Sequence, residues 1–239
     1  PLALLGCTAA ASTDDDGSIV EYIWSVDEAP RGSTSRPTPA DARDTRFLVD
    51  LAGNFVVTLT VVDDDGCASE PAVVSIASRP TEAIYVELVW DTHGGPGPSG
   101  GARGTDMDLH LLHPNGCWES LVWDCHYASK RPNWGDPGRR DDDPTLQIED
   151  NDGAGPEVIT LDNPETGVTY SVGAHFYDAP RQSRVTATTR IYVAGDLVFD
   201  ESRYMAREKT WWVAAAIAWP SLDVTVLDQQ FDGTPPCTR

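Results

Sequence analysis

The chain has 239 residues, 38 Asp plus Glu against 17 Lys plus Arg, a formal net charge of -21, and 40% hydrophobic residues including 8 Trp. So acidic a surface repels phosphate backbones and anionic lipid, which argues against nucleic acid and membrane surfaces as partners and points to cations as the natural small ones. The apolar share is too high for a disordered acidic tail, and the length suits one large or two ordinary domains, each with a core.

The opening Pro-Leu-Ala-Leu-Leu-Gly-Cys reads either as the end of a signal peptide with a lipidation residue at Cys7 or as a first strand. From there the apolar period is two almost throughout. Val20, Tyr22, Trp24 and Val26 alternate with Glu21, Ile23 and Ser25, and Phe55, Val57, Leu59 and Val61 with Val56, Thr58 and Thr60. The pattern returns at Ile84-Val86-Leu88-Trp90, Met107-Leu109-Leu111, Val168 to Phe176, Val185 to Val193 and Leu222-Val224-Val226. One segment, Glu201 to Lys209, is helix-like, and is expected to be a turn or a short helix between strands. The longest apolar run, Trp211 to Trp219, ends at Pro220, short of the ~18 residues a bilayer span needs, and reads as a buried strand. Strands punctuated by 20 Gly and 18 Pro predict an all-β chain of antiparallel sandwiches. The boundary is expected at Ser78 to Thr81, giving domains 1-79 and 80-239. Two long polar loops, Thr92 to Thr105 and Ser129 to Pro144, fall in the second.

Five cysteines without a C-x-x-C pair argue for disulfides rather than a zinc knuckle or redox motif. The predicted pairs are Cys7-Cys67, each beside an Asp-rich turn, and Cys117-Cys125, stapling a hairpin, with Cys237 left over.

Carboxylates crowd three turns: Asp14-Asp15-Asp16-Gly17, Asp63-Asp64-Asp65-Gly66 and Asp150-Asn151-Asp152-Gly153. One Asp and the Gly suffice for a tight turn. The further carboxylates repel unless a cation sits among them, and Ca2+ is the hard cation that takes such oxygens. EF-hand loops are excluded, because the position six after each Gly is Ile23, Ala72 or Ile159. In the second domain Asp106, Asp108 and His110 share one face of a strand, with Met107, Leu109 and Leu111 on the other. A turn brought to that strand would complete an oxygen cage of Asp106, Asp108, Asp150, Asp152 and Glu157; Asp14 and Asp16 are the calcium candidates of the first domain. A solvated face is the alternative. His110 and His175 offer transition-metal ligation instead, without H-x-H or H-E-x-x-H spacing.

Residues Pro1 to about Ala77 resemble a polycystic-kidney-disease (PKD) domain, an immunoglobulin-like sandwich of secreted and surface proteins. Ala11 to Trp24, Asp50 to Val61 and Asp63 to Gly66 carry the likeness. Two departures are Ser25-Val26-Asp27-Glu28 where the family has W-D-F-G-D-G, and a missing first strand, which implies a fragment of a longer array. Residues from about Ala83 to Pro220 resemble a bacterial secreted β-sandwich family of poorly defined function. The shared features are Trp90-Asp91, Asp106 to His110, Asp152 to Glu157 and Gly167 to Val172. Both resemblances imply an extracellular or cell-surface module for adhesion or fibre structure, partnered by other surface proteins, copies of itself, or glycans.

Enzyme motifs are sparse: there is no G-x-S-x-G elbow, no Walker loop and no Cys/His setting, while a carboxylate-pair glycosidase stays compatible with so acidic a chain. The alternative to a non-enzymatic module is a carbohydrate-binding accessory of a secreted enzyme, with Trp118, Trp123 and Trp134 as stacking platforms or, instead, as a local mini-core.

Overall fold

The structure is a computed structural model that describes residues 1–91, 104–150, 153, 155–179 and 184–237. It is all-β and antiparallel, and it divides into two compact units, Pro1–Arg79 and Pro80–Arg239. No helix of the described residues is long and apolar enough to cross a membrane.

The first unit holds β1 (Ala3–Thr8), β2 (Ile19–Glu28), β3 (Asp44–Val49), β4 (Gly53–Asp63) and β5 (Ala72–Ser78). β1 pairs with β3, and β2, β4 and β5 form the second sheet, giving an immunoglobulin-like sandwich. The alternating residues Trp24, Phe47, Val49, Phe55, Val57 and Leu59 fill its core. Phe47 and Phe55 meet edge to face at 5.5 Å, and the Trp24 indole N–H donates to the Ala42 carbonyl at 2.8 Å, so the buried ring leaves no polar atom unmatched.

The second unit contains β6 (Ile84–Asp91), β7 (Asp106–Leu112), β8 (Asp124–Cys125), β9 (Thr145–Ile148), β10 (Glu157–Leu161), β11 (Thr169–Asp178), β12 (Val185–Val193), β13 (Asp196–Met205), β14 (Thr210–Ala218) and β15 (Asp223–Asp232). Two five-stranded sheets result, in the orders β13-β12-β6-β10-β9 and β15-β14-β11-β7-β8. Ile84, Val86, Leu88 and Trp90 of the first meet Met107, Leu109, Leu111, Val172, Ala174, Phe176 and Trp212 of the second. Fully burying each large side chain contributes about 1.5–3 kcal/mol. This inner layer fixes the register of β7 and β11, and so presents their alternate residues on the opposite face.

Three expectations are corrected. Glu201 to Met205 is strand rather than helix or turn: it completes β13, whose ladder to β12 pairs Glu201 with Thr189 and Met205 with Val185. Sheet pairing overrides the local helical pattern. The disulfide joins Cys117 to Cys237, not to Cys125. Cys125 sits opposite Leu111 and is buried in the inter-sheet core, whereas Cys117 precedes Trp118, which packs on the outer face with Trp211 and Leu112. The sheet separates the two thiols. Cys7 and Cys67 are likewise unbridged: Cys7 packs against the first core from β1, while Cys67 lies exposed in the turn after β4, in the other sheet.

Candidate metal centre

On the outer face of the β7–β11–β14 sheet the pairing register assembles a polar cluster. Asp108 of β7 lies opposite His175 of β11, His110 lies opposite Gly173, and His175 in turn faces Trp211 of β14. Among the described residues, Asp108, His110 and His175 are the one set of three or more acidic, imidazole or thiol groups whose ligand atoms all lie within 4.8 Å of one another. All three are buried, at 4%, 1% and 6% exposure.

Each side chain is held by its surroundings. His175 stacks on Trp211, ring centroids 4.4 Å apart and 11° from parallel. The Nδ1 of His110 is 2.8 Å from Oδ2 of Asp124 on β8, which leaves Nε2 of His110 buried without a hydrogen-bond partner. Oδ2 of Asp108 is 3.4 Å from Nδ1 of His175 yet makes no aligned hydrogen bond. A carboxylate holding one ring nitrogen so that the other faces a shared point is the arrangement that orients histidine toward a metal.

The segment from His113 to Lys130 sends Trp118 and His126 over this face. Trp118 packs beside His110 and Trp211, at centroid distances of 6.0 and 5.6 Å. Gly173 makes room for it, since a Cβ there would lie 2.8 Å from the Trp118 ring. His126 stacks on His110 at 5.0 Å, with both of its ring nitrogens buried and unpartnered. The Glu119 N–H donates to Asp124 Oδ2 at 2.7 Å, and the Cys117–Cys237 disulfide ties the segment to the chain beyond β15. Oδ1 of Asp124 is unpartnered too. Each such orphaned buried atom costs about 1–3 kcal/mol, so the cluster is expensive without a ligand.

Burial governs the protonation of these groups. It pushes His110 down to about 3 and lowers His126, which keeps both imidazoles neutral, the form whose lone pair binds a metal. Burial also raises Asp124 well above the usual carboxylate range.

The carboxylates singled out from sequence are distributed around this cluster. Glu157 is buried beside β7, where Oε2 accepts the Leu109 N–H at 2.6 Å and Oε1 has no partner. Burial, with Asp108, Glu149 and Asp106 nearby, raises it well above its ordinary value. Asp106 is half-buried and is pushed up to about 7 by burial and by Asp108, Asp178, Glu149 and Asp150. These groups feel one another, yet they make no gathered set of three oxygens among the described residues; Asp152 lies outside those residues. In the first unit the Asp14 and Asp64 carboxylates converge over Gly17, and the Ser18 N–H donates to Asp64 Oδ1 at 2.7 Å, joining two of the Asp-rich turns. Asp14 is partly exposed and Asp64 is exposed.

Trp118 and Trp134 are buried at 4% and 1%, and the Trp134 indole donates to the Val122 carbonyl. Trp134 stacks on Tyr170 and Trp123 packs on His113, so their ring faces are committed to the interior. Trp118 and Trp134 belong to the interior, as in a local mini-core, while Trp123 is partly exposed. Sequence reasoning passed over Asp124 and His126, although a signal was present: Asp124-Cys125-His126 repeats the spacing of Asp108-Leu109-His110. The structure stacks His126 on His110 and sets Asp124 at the His110 Nδ1.

No family model and no curated protein matches the chain. Among solved structures, it is similar to the PKD domain from KIAA 1837 protein, determined in solution, at 25% identity over 32% of this chain and 72% of that one, with a TM-score of 0.28.

Proposed function

We propose that the chain is a non-enzymatic extracellular or cell-surface module, serving in adhesion or as part of a scaffold or fibre, whose second sandwich is braced by a bound divalent cation. The observation that carries this reading is the buried set Asp108, His110 and His175 beneath a segment fixed by the Cys117–Cys237 disulfide. An ion there neutralises Asp108, meets the orphaned nitrogen of His110 and clamps β7 to β11 where the covering segment docks. Burial this deep suits a structural ion better than one that receives a substrate. The disulfide favours an oxidising compartment, and the acidic surface keeps such a module soluble among its partners, which are other surface proteins or copies of itself.

Limited tryptic digestion tests the reading, because the cleavable Lys130–Arg131 bond lies at the end of the covering segment. Cleavage there is expected to be slow in the protein as purified and several-fold faster after treatment with a strong chelator. Equal rates would remove the cation from the account. Protease shaving of intact source cells tests the location, and a protein that resists it until lysis contradicts surface display.

A further inference from the structure

We infer that the ion is a transition metal of the zinc class, held by Asp108, His110 and His175, with Asp124 as the residue that positions His110. This rests on the cation reading above and goes further by choosing the chemistry. The donor set decides it. Calcium takes six to eight oxygens in an open arrangement, whereas this cluster offers two imidazole nitrogens and one carboxylate. Imidazole with carboxylate suits zinc and its first-row neighbours.

The geometry agrees. Two ligands bonded at about 2.1 Å in a tetrahedron lie about 3.4 Å apart, and Asp108 Oδ2 and His175 Nδ1 are 3.4 Å apart with no hydrogen bond between them. The third ligand is Nε2 of His110, which is buried and unpartnered because Nδ1 faces Asp124. A ring nitrogen of His110 lies within 4.8 Å of the other two ligand atoms. His126 lies outside that set, stacked on His110 at 5.0 Å. Asp124 does not touch the ion. Its Oδ2 lies 2.8 Å from Nδ1 of His110 and accepts the Glu119 N–H, so in the tautomer that carries the proton on Nδ1 it fixes the ring plane and turns Nε2 toward the ion.

The test uses the full chain carrying Cys7→Ser and Cys67→Ser, so that these two free thiols cannot ligate, stripped with a chelator and then titrated separately with Zn2+, Co2+ and Ca2+ by calorimetry. One Zn2+ or Co2+ per chain is expected. The Co2+ form should show intense visible d–d bands of low-coordinate geometry and two hyperfine-shifted exchangeable imidazole N–H signals. H175Q should lose one signal and most of the affinity, and D124N should weaken Zn2+ binding 10–100-fold while shifting the His110 N–H signal. If a variant fails to fold, the two imidazole signals of the parent protein still decide. A Ca2+-binding protein that ignores Zn2+ and Co2+ would overturn the transition-metal assignment and leave the cation reading standing. Binding of none of the three would overturn both.

Discussion

Asp108 and His175 face each other across the β7–β11 ladder, with Oδ2 and Nδ1 3.4 Å apart and both side chains buried. The pairing comes from the inner layer: Met107 and Leu109 point into the core opposite Phe176 and Ala174, and a slip of one residue in β7 would turn Asp108 inward, away from His175. Asp108 is also crowded by carboxylate, since it contributes to raising both Asp106 and Glu157. Asp108→Asn therefore separates two effects. With chelator present, the variant should match or exceed the parent in stability, by roughly 1 kcal/mol, because a repelled charge is gone. With metal present, it should gain little. Urea unfolding under both conditions measures the difference.

Gly173 lies under the Trp118 ring, which a Cβ would approach to 2.8 Å. Gly173→Ala is predicted to lift the indole from His110 and Trp211 and to cost about 1–3 kcal/mol through overpacking. Trp118 fluorescence should shift to the red. An unaltered spectrum and stability would mean that the covering segment is less closely seated than described.

The Cys117–Cys237 link spans 120 residues of sequence. Peptide mapping without reduction should recover these two residues joined and Cys125 as a free thiol, made unreactive by its place in the core and by burial that raises its pKa. Cys237→Ser should cost roughly 2–4 kcal/mol. It should also loosen the segment that carries Trp118, Asp124 and His126, and so speed metal release.

At the surface, the Arg139 guanidinium holds Asp141 down at about 2 through a bidentate contact of 2.6 and 2.9 Å, with Asn163 assisting. A depressed carboxylate stabilises the fold above its unfolded value near 4 and loses that contribution as pH falls toward 2. An NMR titration should place the Asp141 midpoint near 2, and Arg139→Ala should move it upward by about one unit or more. The pair is exposed, so its share in stability is small.

Much of the architecture is legible in the sequence because period-two alternation survives in strands such as β4 and β6 and because Gly and Pro mark their ends. What misleads is any stretch whose state is set by a distant partner. Glu201 to Met205 has a helical composition, yet its pairing with β12 makes it strand. Cys117 and Cys125 are close in sequence, and a sheet lies between them. The polar face of Asp106, Asp108 and His110 can be read from spacing alone. That His175 lies beside Asp108 cannot, since it depends on the β7–β11 register, and the contribution of Asp124 depends on how the covering loop folds back. The carboxylate-rich turns suggest oxygen ligands; the fold instead gathers nitrogen beside a single carboxylate.

Thermal unfolding with and without metal tests the cation brace most directly. The parent chain and H110Q would be melted in excess Zn2+ and again in strong chelator. At a free metal concentration of about 100 times the dissociation constant the brace is worth about 2.7 kcal/mol, or roughly 5–10 °C for a unit of this size, and H110Q should lose nearly all of it. Midpoints for the parent chain that coincide in zinc and in chelator would contradict the account.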